Sequence, residues 1–342
     1  MPDHKIISIA ELEFFGRTEN LNEQAKSLVA QQKKTWETAG RNYEALNQVQ
    51  SGTFDFGHFK VITQFNPGRI RSSVAKTDAK SISERPCFLC IKNLPAEQKG
   101  INFNYKYFIL TNPFPVFKVH LTIAKIEHTP QQITGHISDM LELSKELTDF
   151  ALFYNGPQCG ASAPDHFHFQ AISRNSLPVE NEFDILEKGF SEILIQTEEL
   201  KVLAVDNYLR RFVALVSDNK NIIAEKIELI LKSLEKGDGR EPMLNIICSF
   251  YENSWRVIVM PREKHRSAHY FRTDENKILV SPAAIEMGGV LILPEEKDFK
   301  NITGKEIEEI YGEVTLSGNR FNKLKRNLKE HGKNDPSSPP QP

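Results

Sequence analysis

The sequence predicts an α+β fold of two similar halves, each an antiparallel sheet with packed helices, the second half a degenerate copy of the first. Three observations carry this. Apolar strand pairs occur at residues 107–110 with 120–124 and again at 244–250 with 256–260. Each pair closes on a charged run ending in histidine, Lys125-Ile126-Glu127-His128 and Pro261-Arg262-Glu263-Lys264-His265. At 342 residues the chain exceeds one ordinary domain and can bury a sizeable core.

From the start of the chain, residues 9–48 are rich in Glu, Gln, Lys and Ala, with apolar Leu21, Ala25, Leu28 and Val29. That pattern predicts helices, as a peripheral wrapping segment. Residues 59–65 predict a strand stopped by the turn chemistry of Pro67-Gly68, with Arg69, Arg71 and Lys76 close behind. This is either a solvated basic loop or a phosphate contact. Cys87-Phe88-Leu89-Cys90 is a Cys-x-x-Cys knuckle, whose spacing lets two thiolates reach one Zn²⁺ at about 2.3 Å. No second cysteine pair exists, so histidines must complete a four-ligand site; without metal the two are plain thiols. The strands at 107–110 and 120–124 flank Asn112-Pro113-Phe114-Pro115, and His120 inside the second reads as a satisfied structural histidine or a ribose neighbour. Ile133, Ile137, Met140, Leu141 and Leu147 keep a mostly helical period, predicting an amphipathic helix that leads into a strand at 151–154 and the loop opened by Asn155-Gly156.

The most informative stretch follows: Gly160-Ala161-Ser162-Ala163-Pro164-Asp165-His166-Phe167-His168-Phe169-Gln170-Ala171. Read as a strand from about Asp165, it puts His166, His168 and Gln170 on one face and Phe167, Phe169 and Ala171 on the other, because strand side chains alternate. The aromatic face belongs to a core. The small, glycine-containing lead-in allows close backbone approach to a ligand, as anion sites require. One histidine there would suit an ordinary wet strand face; two and a glutamine in strict alternation predict a site.

In the second half, residues 201–205 and 211–216 predict a hairpin, 221–234 an amphipathic helix, and Gly237-Asp238-Gly239 a loop. Beyond the second strand pair come Arg262, His265, Arg266 and His269, equally a surface basic cluster or a ligand-facing one, and then the segment 280–294. No His-x-His-x-Gln recurs here. The tail 334–342, Asn-Asp-Pro-Ser-Ser-Pro-Pro-Gln-Pro, predicts disorder.

His-x-His-x-Gln behind a Gly-x-Ser loop resembles the transferase branch of the histidine-triad superfamily: galactose-1-phosphate uridylyltransferases, diadenosine tetraphosphate phosphorylases and, nearest to His166-Phe167-His168-Phe169-Gln170-Ala171, GDP-L-galactose (GDP-hexose) phosphorylases. The resemblance runs thinly from about Gln64 to Leu324 and is specific at 160–171. It implies that each half is histidine-triad-like. It implies further that His168 attacks the α-phosphorus and carries the nucleotide covalently, with His166 and Gln170 as its catalytic neighbours. The Gln-x-Asn-x-x-Arg match at residues 64–69 implies Arg69 or Arg71 on a phosphate. Asn155 matches an asparagine that binds phosphate or ribose, and Gly160 and Ser162 match the phosphate loop. Asp165 sets Ser162 one residue further from His168 than in uridylyltransferases. In that family a zinc site forms from residues matching Cys87, Cys90, His128 and His166, which implies a structural zinc here and no organic cofactor.

The formal net charge of −2 gives no electrostatic case for nucleic acid or a membrane surface. No apolar run approaches the roughly 18 residues of a membrane helix and the start is polar, so a cytoplasmic protein is expected. Four cysteines are too few for a disulfide framework. The expected division is an N-terminal extension plus catalytic half at 1–195, a C-terminal half at 196–333 and the tail at 334–342. The expected function is a nucleotidyltransferase or phosphorylase acting on a GDP-hexose-like sugar nucleotide with phosphate or a sugar phosphate as co-substrate. A dinucleoside polyphosphate phosphorylase (ATP adenylyltransferase) or a hexose-1-phosphate uridylyltransferase would use the same mechanism. A nucleotide-binding protein without turnover is the alternative of another class, against which intact His168 and Gln170 speak. Oligomeric state is not readable from the chain.

Overall fold

Ten strands form one antiparallel sheet that runs through both halves of the chain, in the order β3-β4-β5-β7-β6-β11-β12-β10-β9-β8. Their bounds are β3 Gly100–Phe103, β4 Tyr107–Thr111, β5 His120–Lys125, β6 Phe150–Asn155, β7 His168–Ser173, β8 Glu192–Gln196, β9 Lys201–Val205, β10 Phe212–Ser217, β11 Leu244–Tyr251 and β12 Ser254–Pro261. A separate three-stranded sheet joins β1 (Gln50–Asp55), β2 (Lys60–Phe65) and β13 (Val290–Leu293), with β13 parallel to β2. The computed structural model describes residues 3–70, 79–237 and 239–333. Arg71, Lys76 and the tail 334–342 lie outside the described residues. Among the described residues, no helix is long and apolar enough to cross a membrane.

The duplication expected from the sequence is visible in strand order. From outer edge to centre, the first half reads β3-β4-β5-β7-β6 and the second β8-β9-β10-β12-β11, and the halves meet where β6 pairs with β11. Each half also inserts a helix at the same point, Ile137–Glu146 between β5 and β6 and Lys220–Ser233 between β10 and β11. The second helix forms because Asn219 caps it, accepting from the Asn221 and Ile222 amides, and because Ile223, Ile227, Ile230 and Leu231 fall on one buried stripe.

The two halves differ in the link between their last two strands. β11 and β12 are joined by the two-residue turn Glu252-Asn253, both at positive φ (48° and 61°), the geometry of a tight primed hairpin. β6 and β7 are instead separated by the loop from Gly156 to Phe167. The strand expected from Asp165 therefore begins at His168, and His166 sits in the bend before it.

The sheet buries both faces. Phe167, Phe169, Ala171, Leu152 and Tyr154 belong to a core shared with the helices Leu21–Thr35, Ile137–Glu146 and Lys220–Ser233. Ala151, Phe153, Ile172, Ile247 and Ile258 belong to a second core closed by β13 and the helix Gly304–Val314. His168 and Gln170 alternate with the first set and so point to the second face.

Candidate active site

β7 is held between β5 and β6, with Ala124 opposite His168 and both Thr122 and Phe153 opposite Gln170. His168 is 3% exposed. Its backbone N–H donates to Gln131 Oε1 (2.8 Å), while Gln131 Nε2 donates to the His168 and Asn155 carbonyls (both 3.0 Å). One buried amide thus ties the start of β7 to the end of β6. His168 Nδ1 lies 2.9 Å from the His166 carbonyl, which can only accept, so Nδ1 carries the proton. Burial pushes the His168 pKa down to about 4, leaving the ring neutral and Nε2 with a free lone pair.

Gln170 is oriented in the same way, through its oxygen. The Val116 N–H donates to His120 Nδ1 (3.3 Å), so the His120 proton is on Nε2, which donates to Gln170 Oε1 (2.9 Å). Asn112 Nδ2 donates to the same oxygen at 3.3 Å. With its carbonyl occupied twice, the half-buried Gln170 amide keeps its N–H donors for a ligand. Burial, reinforced by the Arg69 charge, pushes His120 down to about 3, so it remains neutral and this polarity is fixed. Arg69 is half-buried and donates to the Phe114 carbonyl (2.7 Å).

A second cluster lies two residues back along the chain, at His166. Cys87, Cys90, His128 and His166 each offer a ligand atom, all within 4.8 Å of one another. Cys87 Sγ is 3.2 Å from His166 Nδ1, Cys90 Sγ 3.2 Å from His128 Nδ1, and Cys90 Sγ 3.6 Å from His166 Nδ1. The edge of a tetrahedron built on ordinary Zn–S and Zn–N bonds is about 3.5 Å, so this spacing fits a metal. His166 Nε2 is 2.7 Å from the Lys125 carbonyl, which puts its proton there and turns the Nδ1 lone pair toward the thiols. Metal-ligating histidines are oriented by such bonds. The bend before β7 thus separates the two histidines: His166 faces the cysteines, and its carbonyl sets the tautomer of His168.

Other expected residues have different surroundings. Asn155 is buried, and its Oδ1 accepts from Asn245 Nδ2 (2.9 Å) and the Ala284 amide (2.8 Å), joining the two halves. Gly160 has φ +95°, and an added Cβ would come 2.4 Å from the Ala283 Cβ, so packing as well as backbone conformation demands glycine. Ser162 is exposed, and its carbonyl lies 3.5 Å from Arg85 Nη2. Arg262 is 3% exposed and donates to Asn245 Oδ1 and to the carbonyls of Pro282, Val314, Lys264 and His265, so it binds protein. His265 Nε2 and Arg266 Nε both meet Ser281 Oγ (3.0 and 2.9 Å), and His269 pairs with Glu309 (3.0 Å). Sequence reading gave no role to Gln131, and it did not see that His120 and Asn112 aim Gln170. An isolated amide in a loop carries no pattern that could have revealed it.

Residues 28–173 match the family described as Domain of unknown function (DUF4922), and residues 185–334 match the one described as GDPGP1-like, C-terminal domain. No curated protein matches the chain in sequence. Among solved structures, yeast Ap4A phosphorylase Apa2 is similar with 16% identity over 83% of this chain and 94% of that chain, at a TM-score of 0.52. The same enzyme in complex with Ap4A gives 13% identity, 83% and 97% coverage and a TM-score of 0.54. A uridylyltransferase mutant gives 13% identity over 72% of this chain and 94% of that chain, with a TM-score of 0.38.

Proposed function

We propose that this chain is a nucleotidyltransferase of the phosphorylase type, acting on a GDP-hexose-like sugar nucleotide through a covalent nucleotidyl-His168; the match of residues 185–334 to the GDPGP1-like C-terminal domain and the fold shared with an Ap4A phosphorylase support the reading. The observation that carries this is the pair of fixed polarities on β7: His168 Nε2 is an available lone pair, and Gln170 offers N–H donors beside it.

In the first step His168 Nε2 forms a bond to the α-phosphorus and the bond from that phosphorus to the hexose 1-phosphate oxygen breaks. In the second, an inorganic phosphate oxygen attacks the same phosphorus and the P–N bond breaks, releasing nucleoside diphosphate. Nδ1 keeps its proton throughout, so the His166 carbonyl supports the cationic ring of the intermediate. The Gln170 amide, Arg69 and the backbone of the Gly160–Ser162 loop would stabilise the equatorial oxygens, and Arg71 is the further candidate. Gln170 cannot supply a proton at neutral pH, which favours an intermediate that waits for its acceptor over hydrolysis. Cys87, Cys90, His128 and His166 would hold one Zn²⁺ as a structural clamp on the segment leading to His168. Residues 1–195 would be the catalytic half with its N-terminal extension, and 196–333 the supporting half. A dinucleoside polyphosphate is the second substrate to test, since the Ap4A-bound relative shares the fold.

The test is intact-mass measurement at neutral or basic pH, where a P–N bond survives, after mixing protein with GDP-hexose and no phosphate. The wild type should gain one nucleoside monophosphate; His168→Ala should gain none while still binding nucleotide. An adduct that persists in His168→Ala, or that maps to His166, overturns the assignment. No adduct with any sugar nucleotide or dinucleotide would favour a binding protein without turnover.

A further inference from the structure

The repeated strand order gives the second half a position equivalent to that of the nucleophile. His168 on β7 lies opposite Ala124, the fifth residue of β5; Arg256 on β12 lies opposite Val216, the fifth residue of β10. Arg256 therefore occupies the station of His168, on the same face of the sheet and at the opposite end of the strands. That station is open. A cleft of about 360 Å³ lies over it, lined by Arg174, Arg256, Tyr251, Phe183, Glu180 and Asn181 among others.

The lining combines three chemistries. The Arg174 guanidinium lies 4.7 Å from the Tyr251 ring centroid; that of Arg256 lies 5.2 Å from Tyr251 and 4.8 Å from Phe183. Arg256 is ion-paired with Asp184 (3.0 Å), whereas Arg174 has no carboxylate partner among the described residues and only a 3.5 Å contact to the Phe250 carbonyl. Glu180 Oε2 accepts from the Leu177 amide (3.3 Å), but the buried Oε1 has no hydrogen-bonding partner among the described residues. That oxygen is closed to solvent beside the backbone of Asn175 and Ser176, so Glu180 forms part of the wall of the cleft rather than its ligand-facing surface.

We propose that this cleft is a second ligand site, distinct from the nucleotidyl-transfer site, for a small phosphorylated sugar. An unpaired guanidinium beside a second one suits a phosphate. The Asn181 side chain, exposed on the same lining, suits a sugar hydroxyl. The volume is at the small end for ligand pockets, which favours a monosaccharide phosphate over a whole nucleotide sugar. Arg174 is six strand residues beyond His168, roughly 20 Å away, so one small ligand cannot occupy both places.

The experiment is calorimetric titration of the full chain with glucose 6-phosphate, with glucose and inorganic phosphate as separate arms. Saturable binding of glucose 6-phosphate is expected, weakened at least tenfold in Arg174→Ala, weakened also in Asn181→Ala and unchanged in His168→Ala. Arg174 is half-buried and its only hydrogen bond among the described residues is the 3.5 Å contact to the Phe250 carbonyl, so its variant should keep the wild-type melting temperature. Absence of saturable binding at millimolar glucose 6-phosphate overturns the proposal, as does binding unchanged in Arg174→Ala, which would place the ligand in the catalytic cleft. Inorganic phosphate binding as tightly as the sugar phosphate overturns the sugar assignment. None of these readouts depends on turnover, so the site stands or falls separately from the His168 intermediate.

Discussion

Replacing Gln131 by Ala tests whether His168 is held by a buried amide rather than by the strand ladder alone. Gln131 is 1% exposed, and its side chain makes three hydrogen bonds, two donated to the Asn155 and His168 carbonyls and one accepted from the His168 amide. Each is worth about 1 kcal/mol net, and stranding a buried partner adds to that, so the loss should be about 3–5 kcal/mol. In a chain of this size, with an unfolding entropy of about 0.7 kcal/mol/K, that lowers Tm by about 4–7 °C. Since the His168 amide is then free to shift, kcat should fall as well, because small misplacements of a reacting group are costly. Gln131→Glu sharpens the test. Its carboxylate still accepts from His168 but faces two carbonyls, so its folded pKa must rise above the unfolded value. Its stability should therefore be best at acid pH and decline as pH rises through the folded pKa. Differential scanning calorimetry and single-turnover kinetics read both effects. Melting of Gln131→Ala within a degree or two of wild type would show that these groups find other partners and would refute the clamp.

Four further outcomes follow from the same contacts. Cys87→Ser should lose about one equivalent of zinc by elemental analysis and melt earlier, whereas protein purified without metal and melting as before would leave the four residues as an unmetallated cluster. His120→Ala removes the donor that fixes the Gln170 oxygen, so kcat should fall about 10- to 100-fold with nucleotide affinity nearly unchanged by titration. Glu241, 3% exposed and accepting from the Tyr154 hydroxyl (2.5 Å) and the Ile133 amide (2.8 Å), is raised by burial to about 7. A raised folded pKa means stability is lost as pH climbs from about 4.5 to 7, on the order of 3 kcal/mol, and Glu241→Gln should flatten that part of the curve in denaturant titrations run across pH. Gly160→Ala should cost about 2–4 kcal/mol from its positive φ and the clash with Ala283, and a variant as stable as wild type would show that the 156–167 loop is free to move aside.

Much of the architecture was readable because it follows from local periodicity. The alternation of Phe167, Phe169 and Ala171 with His168 and Gln170 identified β7 and its two faces, and Ile223, Ile227, Ile230 and Leu231 identified the helix of the second half. The four metal-ligand candidates came from a spacing and a resemblance, and the structure gathers them. What escaped was whatever depends on distant partners. Alternation could not show that the chain bends at His166, since the pull comes from the Lys125 carbonyl and two cysteines far away in sequence. Nor could it show that β13 pairs parallel to β2, 228 residues earlier by the Val290–Ile62 register, or that Asn155 spends its oxygen on Asn245 and Ala284.

Those long-range contacts explain why a half without a His-x-His-x-Gln of its own is built into the site of the other. Asn155 ends β6 beside His168, linked to it through Gln131. Its oxygen is held by Asn245 on β11 and by the amide of Ala284. Asn245 in turn accepts from Arg262 at the end of β12, and the same guanidinium fixes the Pro282 carbonyl. A single network of buried polar groups therefore runs from Arg262 at the end of β12 to the backbone of His168, and Ala283 closes on Gly160 beside it. Buried networks of this kind are rigid when every member is satisfied, because the low dielectric that strengthens each bond also penalises its loss. Arg262 makes five such bonds, so the wall it holds cannot drift without stranding a buried charge. The second half thus supplies, through Arg262, Asn245 and Ala283, a fixed wall along one side of the 156–167 loop that leads into His168.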